Sequence, residues 1–213
     1  MFNQLPPVTR ALLISNGLVF LFQQLLPPQT FVSFALWPLV DVPNRFGGTE
    51  MLFLPWQLLT YGFLHGNLAH LFFNMLALLM FGGPIEQVWG PRRFALYYVV
   101  CVVGAGLVQL VVATMAAQGG ELYPTIGASG GVFGILLAYG MMFPHHRVML
   151  LFPPIPMKAR TLVIAYGAIE LFMGVTGTQA GVAHFAHLGG MLFGFLLIQY
   201  WRGRPPFSRP RPR

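Results

Sequence analysis

Six apolar segments, each of the length of a helix, dominate this sequence. A helix needs about 20 mostly apolar residues to cross the hydrocarbon core of a bilayer. None of the segments shows the alternating pattern typical of barrel strands, so the sequence predicts an all-α polytopic membrane protein. The six predicted spans, separated by proline, glycine and charged residues, cover about 10–27, 67–82, 94–116, 129–143, 160–176 and 183–201.

Charged residues are too scarce for a soluble protein of this length. They make up 8% of the chain, against about 25% in typical soluble proteins. The formal charge of +7 does not indicate a nucleic-acid partner, because such proteins are rich in charge. We therefore expect a lipid bilayer as the environment and no nucleic acid as a partner.

The basic residues predict the orientation of the spans. If both termini are cytoplasmic, eleven of the twelve Lys and Arg residues fall on the inner side and only Arg45 falls outside. This distribution follows the positive-inside rule. We expect a multi-pass protein in the inner membrane of a prokaryotic cell.

Residues 1–201 are predicted to form one six-span domain. The segment 28–66 is apolar but is interrupted by Pro38, Pro43 and Pro55, so it cannot be one straight helix. It is interpreted as an interfacial loop with short helical turns. The Arg- and Pro-rich segment 202–213 is predicted to be a disordered cytoplasmic tail beside anionic lipid.

Polar residues at membrane depth are candidates for function, because an unpartnered polar group in hydrocarbon is costly. In the predicted topology Ser129, His70 and His187 begin spans 4, 2 and 6 in the same outer leaflet. Gly127 and Gly130 flank Ser129, which would let a substrate backbone approach and leave amide N–H groups free at the helix start.

A serine–histidine pair is predicted from the small residues that follow each side chain. Gly190 and Gly194 share a helical face with His187, and span 4 has its own stripe at Gly130, Gly134 and Ala138. Small residues at this spacing let helices pack closely, which would bring the imidazole to the Ser129 hydroxyl.

Three further side chains complete the predicted site. Phe133, four residues after Ser129, is placed to stack on the His187 ring. His70 and Asn74 are spaced i, i+4 and would offer N–H donors to an oxyanion. No Asp or Glu is placed by the sequence to complete a triad, and the position of the intramembrane Glu170 relative to His187 is open. The pattern therefore favours a Ser129–His187 dyad.

The chain resembles the rhomboid intramembrane serine proteases from about residue 10 to 201. Each motif is weak alone, but four in this order are specific. They are His65-x4-His70-x3-Asn74, Gly82-Gly83-Pro84-Ile85-Glu86, Gly127-Ala128-Ser129-Gly130 and Ala186-His187-x2-Gly190-x3-Gly194.

The resemblance implies a function and a role for each site residue. Ser129 would be the nucleophile, His187 its general base, and His70, Asn74 and the Ser129 amide the oxyanion hole. The substrates would be single-span membrane proteins, cleaved near the membrane surface without a metal or other cofactor. Span 5 and the loop after it would resemble the family's lateral substrate gate.

Two departures from the family pattern stand out. Gln57 follows Trp56 where the family often has arginine, so the usual arginine contacts of the first loop would be lost. Phe133 stands where many members have tyrosine, which removes a hydroxyl but leaves a ring that can stack. The inactive relatives typically lack the serine or the histidine, and this chain keeps both.

Two alternatives remain open. A metal-dependent membrane hydrolase could use His65, His70, His184 and His187, although the sequence lacks His-Glu-x-x-His and places no carboxylate beside either histidine pair. A non-catalytic protein could hold span-containing clients on the same scaffold, although Ser129 and His187 are both present.

Overall fold

The computed structural model describes residues 4–43, 48–149, 154–177 and 182–204. Two short antiparallel ribbons lie outside the helices, one pairing β1 (Asp41–Pro43) with β2 (Thr49–Met51) and one pairing β3 (Arg147–Met149) with β4 (Pro156–Lys158). The described residues form the helices α1 (Pro7–Leu25), α2 (Gln57–Thr60), α3 (Leu68–Ala77), α4 (Gly83–Trp89), α5 (Pro91–Gln118), α6 (Ser129–Met142), α7 (Ala159–Thr176) and α8 (His184–Arg202).

The helices make this chain an all-α polytopic membrane protein. Within the described ranges, four helical stretches are long and apolar enough to cross a bilayer, namely Pro7–Leu25, Leu68–Trp89, Pro91–Gln118 and Ala159–Thr176. The apolar α6 is shorter, at 14 residues. The 19-residue α8 is less apolar, because it includes His184, His187 and Arg202. Together these six stretches occupy the places of the six predicted spans.

The second predicted span ends later than expected. We predicted its end at residue 82, because Gly82-Gly83-Pro84 usually stops a helix. In the structure a π-helical turn at Leu78–Gly82 joins α3 to α4, and the helix continues to Trp89. Pro84 directly follows the π-helical turn, a local departure from the i→i−4 hydrogen-bond ladder, which a proline also interrupts.

The sixth span and the basic segment also differ from the prediction. Arg202 belongs to the last turn of α8, and Gly203, with φ +59°, forms the C-cap. Glycine is common there because it adopts left-handed backbone angles without a Cβ clash. The rest of the predicted tail, 205–213, lies outside the described residues.

A buried glutamate joins α4 to the start of α1. Glu86 is 2% exposed. Its Oε1 accepts the Val8 N–H at 2.8 Å, and its Oε2 accepts the Thr9 N–H at 2.7 Å and the Thr9 hydroxyl at 2.8 Å. The carboxylate therefore caps N–H groups that have no intrahelical partner, at the positive end of the helix dipole.

Replacing Glu86 with alanine should destabilise the protein by about 2–4 kcal/mol, because three donors would lose a charged acceptor in a buried place. Thermal unfolding in detergent measures the effect. Glu121→Gln is the control, since Glu121 is exposed and its removal should leave the unfolding temperature unchanged. Equal unfolding temperatures for Glu86→Ala and wild type would contradict the capping role.

The loop between α1 and α3 is anchored by Gln57, the residue that stands where the family often has arginine. Gln57 is fully buried. Its Oε1 accepts the Trp37 N–H at 3.1 Å, and its Nε2 donates to the carbonyls of Leu52 at 3.1 Å and Ser33 at 3.4 Å. An uncharged amide can thus tie together three parts of the loop. The loop contains short helical turns, as predicted, and the β1–β2 ribbon, which was not predicted.

The same loop holds the backbone that leads into α6. Leu36 and Thr125 exchange two backbone hydrogen bonds of 3.0 and 2.8 Å, and the Gly127 N–H donates to the Tyr61 carbonyl at 2.9 Å. These contacts fix the segment on the N-terminal side of Ser129.

Helices α6 and α8 approach each other through glycine. A Cβ at Gly190 would overlap the carbonyl oxygen of Gly130, and a Cβ at Gly134 would lie 3.2 Å from the Gly190 carbonyl oxygen. The prediction that these glycines face each other agrees with this geometry. The atoms nearest to the Cβ position of Gly134 belong to Cys101 of α5, and those nearest to Gly194 belong to Tyr97 and Cys101 of the same helix, with no α6 atom among them. Gly194 therefore lets α8 approach α5 rather than α6.

Candidate active site

Ser129 is the first residue of α6, and its hydroxyl meets a histidine of α8. The Ser129 Oγ lies 2.8 Å from His187 Nε2. Gly127, two residues earlier, has φ +130°, a conformation that strongly favours glycine. The turn before α6 therefore depends on a glycine, and it delivers the hydroxyl to the imidazole.

The His187 ring is held by a second residue of α6. Its plane lies 3° from that of Phe133, with the ring centroids 4.2 Å apart. His187 itself is 8% exposed. Ser129 and Phe133 are one helical turn apart, so one face of α6 supplies both the hydrogen-bonding partner and the stacking partner of the imidazole.

A carboxylate lies on the other side of the same ring. The Oε2 of Glu170, on α7, is 2.9 Å from His187 Nδ1 and 2.7 Å from His184 Nδ1. The His184 contact has hydrogen-bond geometry. The His187 contact lies off the direction of the ring N–H, so Nδ1 has no aligned acceptor. Glu170, whose position relative to His187 the sequence left open, thus lies beside Nδ1 without an aligned hydrogen bond.

His70 reaches the site, whereas Asn74 bonds to its own helix. A Cβ at Gly127 would lie 2.8 Å from His70 Nε2 and 3.7 Å from Ser129 Oγ, so the His70 ring packs on the glycine beside the nucleophile candidate. The Asn67 side chain caps α3 by accepting the His70 N–H at 2.8 Å. Asn74 Nδ2 donates to the His70 carbonyl at 2.9 Å.

His65 lies at the junction between the loop and α3. Its N–H donates to Gln23 Oε1 of α1 at 3.0 Å, and its ring meets the His70 ring edge-on at 5.0 Å between centroids. Burial, with a smaller contribution from His70, lowers the pKa of His65 to about 4. The ring is therefore neutral at pH 7, and it is the backbone of His65 that joins the loop to α1.

The side chains that could hold a metal ion differ from the predicted set. Among the described residues, Glu170, His184 and His187 offer ligand atoms within 4.8 Å of one another, and His65 and His70 are not in that group. The prediction that no carboxylate accompanies the His184–His187 pair was therefore wrong. The contacts of 2.7 and 2.9 Å are shorter than the roughly 3.3 Å separation that ligands about 2.0 Å from a tetrahedral zinc would have.

A comparison with protein families identifies the scaffold. The family model described as the rhomboid domain matches residues 53–204, which is more than half of the chain and includes α2 to α8. The chain belongs to the rhomboid family. The resemblance inferred from the four sequence motifs is thereby confirmed.

Curated rhomboid proteins from distant organisms match this chain. The rhomboid protease GluP of Bacillus subtilis is 32% identical over 140 residues, or 66% of this chain and 25% of GluP. Rhomboid protein 1, mitochondrial, of Saccharomyces cerevisiae is 32% identical over 141 residues, covering 65% and 39%. The human presenilin-associated rhomboid-like protein, mitochondrial, is 33% identical over 171 residues, covering 76% and 42%. The chain thus spans between a quarter and about two fifths of the length of these relatives.

Within this rhomboid scaffold, Glu170 is the residue whose place the sequence did not reveal. The signal available was its burial in an apolar helix, since a carboxylate at membrane depth is expected to have a partner. Naming that partner needed the rotation of α7 relative to α8, which the sequence does not specify.

Proposed function

We propose that this rhomboid protein is an intramembrane serine protease that cleaves single-span membrane proteins near the outer membrane surface. The observation that carries the proposal is the 2.8 Å separation of Ser129 Oγ and His187 Nε2. A hydroxyl hydrogen-bonded to an imidazole whose orientation is fixed is the arrangement that activates a serine nucleophile.

The proposed reaction is acyl transfer. His187 Nε2 takes the proton of Ser129 as the Oγ attacks the scissile carbonyl carbon, and the same nitrogen then gives that proton to the leaving amine. Water hydrolyses the acyl-enzyme. The reaction requires water at a site below the membrane surface, so the substrate path must include a polar cavity open to the outside.

The oxyanion of the tetrahedral intermediate would be stabilised from two directions. The Ser129 amide lies at the start of α6, where backbone N–H groups have no intrahelical acceptor. The His70 ring packs against Gly127, two residues before Ser129. Asn74 would join them by redirecting the Nδ2 that now bonds to the His70 carbonyl.

The orientation of the protein follows from its charges. We propose that it lies in the inner membrane of a prokaryotic cell with both termini cytoplasmic, because eleven of its twelve cationic residues then fall on the inner side. The start of α6, and with it Ser129, then lies toward the outer side.

A fluorophosphonate probe tests the nucleophile directly. We expect the purified protein in detergent to be labelled at Ser129, as located by peptide mass spectrometry, because the probe reacts with serines activated by a base. The variant Ser129→Ala is expected to show no labelling. Labelling of the variant at the wild-type rate would contradict the proposal.

A metal-dependent hydrolase is the second candidate, and the cluster of Glu170, His184 and His187 favours it. The two candidates differ in their response to chelation. The serine mechanism predicts unchanged labelling and unchanged substrate cleavage after exhaustive chelation, whereas loss of cleavage that added metal restores would support the metal mechanism.

A further inference from the structure

Glu170 occupies the side of His187 that faces away from the nucleophile. Its Oε2 lies 2.9 Å from His187 Nδ1, while Ser129 Oγ lies 2.8 Å from Nε2 of the same ring. The carboxylate and the hydroxyl therefore contact different ring nitrogens. Glu170 is 8% exposed, and a buried carboxylate needs partners that compensate for its lost hydration.

His184 supplies the second partner. Its Nδ1 lies 2.7 Å from the same Glu170 oxygen, and it precedes His187 by three residues on α8, on the same helical face. Two imidazoles from adjacent turns thus converge on one carboxylate oxygen. Across the described parts of the chain, His184 and His187 are the side chains whose ring nitrogens contact the Glu170 carboxylate. The helix α7 therefore contributes a carboxylate that both histidines of α8 contact.

We propose that Glu170 is a positioning residue that selects the tautomer of His187 with its proton on Nδ1. This inference rests on the proposed serine-protease function. Nε2 can accept the Ser129 proton only if it carries none, so the ring proton must be on Nδ1. That nitrogen is buried, and the Glu170 carboxylate is the negatively charged group beside it. The carboxylate thereby selects the tautomer by its charge, while stacking on Phe133 fixes the plane of the ring.

His187 transfers a single proton in this scheme. One proton moves from Ser129 Oγ to His187 Nε2 and later to the leaving amine, while Nδ1 keeps its proton and Glu170 stays ionised. The imidazolium formed between these two steps is stabilised by the adjacent carboxylate. The contact with Nδ1 lies off the N–H direction in the free protein, and catalytic hydrogen bonds commonly align only when substrate is bound.

The variant Glu170→Gln tests the role with little change in shape. We expect kcat for a single-span substrate to fall by about ten-fold or more, because an amide can favour the wrong tautomer and cannot neutralise the imidazolium. The KM should change little, since Glu170 does not touch the substrate in this scheme. The rate of fluorophosphonate labelling at Ser129 should fall with kcat, while the final extent of labelling stays at the wild-type value.

Glu86→Gln is the matched control, because Glu86 is a second buried glutamate whose partners are on α1. It should lower the unfolding temperature without changing kcat for the folded protein. In a His187→Ala background, Glu170→Gln should leave the residual rate unchanged, whereas a purely structural residue would lower it further.

The outcomes separate the two proposals. A wild-type protein that is neither labelled at Ser129 nor able to cleave would overturn the function and the positioning role together. A labelled and active wild type whose Glu170→Gln variant keeps the same kcat and labelling rate would overturn the positioning role alone. A Glu170→Gln protein with a lower final extent of labelling, rather than a lower labelling rate, would also overturn the positioning role. The same holds if Glu170→Gln lowers the residual rate of the His187→Ala protein as much as it lowers kcat of the wild type, since both results indicate misfolding.

Discussion

His187→Ala and Ser129→Ala are each expected to lower kcat/KM for a single-span substrate by about 10⁴-fold or more. The expectation follows from the 2.8 Å contact between Ser129 Oγ and His187 Nε2. Without the imidazole the hydroxyl keeps its proton and is a poor nucleophile, and without the hydroxyl no acyl-enzyme forms. The measurement is cleavage of a single-span test substrate by purified protein in detergent or lipid, at matched protein concentrations and with unfolding temperatures recorded.

The double variant makes this prediction more specific. Because the two residues act as one unit, Ser129→Ala with His187→Ala should be no slower than either single variant. His145→Ala is the matched control, since His145 is an exposed histidine in the turn after α6, and it should retain wild-type activity. His70→Ala should lower kcat/KM by about 10²–10³-fold, which is less than the loss in Ser129→Ala or His187→Ala. It removes one oxyanion donor and leaves the nucleophile intact. Undiminished cleavage by Ser129→Ala would contradict the mechanism.

The contact between Ser129 and His187 could be predicted because it depends on helical periodicity and on the small size of the glycines between α6 and α8. Helical spacing places Gly190 on the face of His187, and glycine permits close helix contact. The stacking position of Phe133 follows from the same i, i+4 rule. Local helical geometry determines which side chains share a face, and the predicted topology of the spans places Ser129 and His187 in the same leaflet.

Features that depend on the rotation of one helix against another could not be predicted in this way. Glu170 reaches His187 only because α7 turns that face toward α8. Gly194 shares a face with Gly190 in sequence, yet it contacts α5, because α8 packs against α5 as well as against α6. Gln57 shows the same limit in the loop, where the hydrogen bonds of a buried amide depend on backbone carbonyls that sequence patterns do not locate.

The substitution Gly190→Ala is expected to reduce kcat/KM by about 100-fold, although Gly190 contacts neither reacting atom. A Cβ at this position would overlap the carbonyl oxygen of Gly130, the residue that directly follows Ser129. Backbone cannot rotate away as a side chain can, so α6 and α8 must separate where Ser129 meets His187. A displacement of about 1 Å in a catalytic pair can cost about 10² in rate, and forced overpacking costs about 1–3 kcal/mol in stability.

Two glycines on other helices are controls for Gly190→Ala. A Cβ at Gly17 of α1 would meet nothing within 4 Å, and one at Gly167 of α7 would meet Met191 Cε at an ordinary 3.5 Å. Gly17→Ala and Gly167→Ala should therefore keep wild-type activity, and alanine is the better helix former. The cleavage assay and thermal unfolding in detergent distinguish the three variants. A Gly190→Ala protein with wild-type kcat/KM would show that the spacing of α6 and α8 does not control the serine–histidine contact.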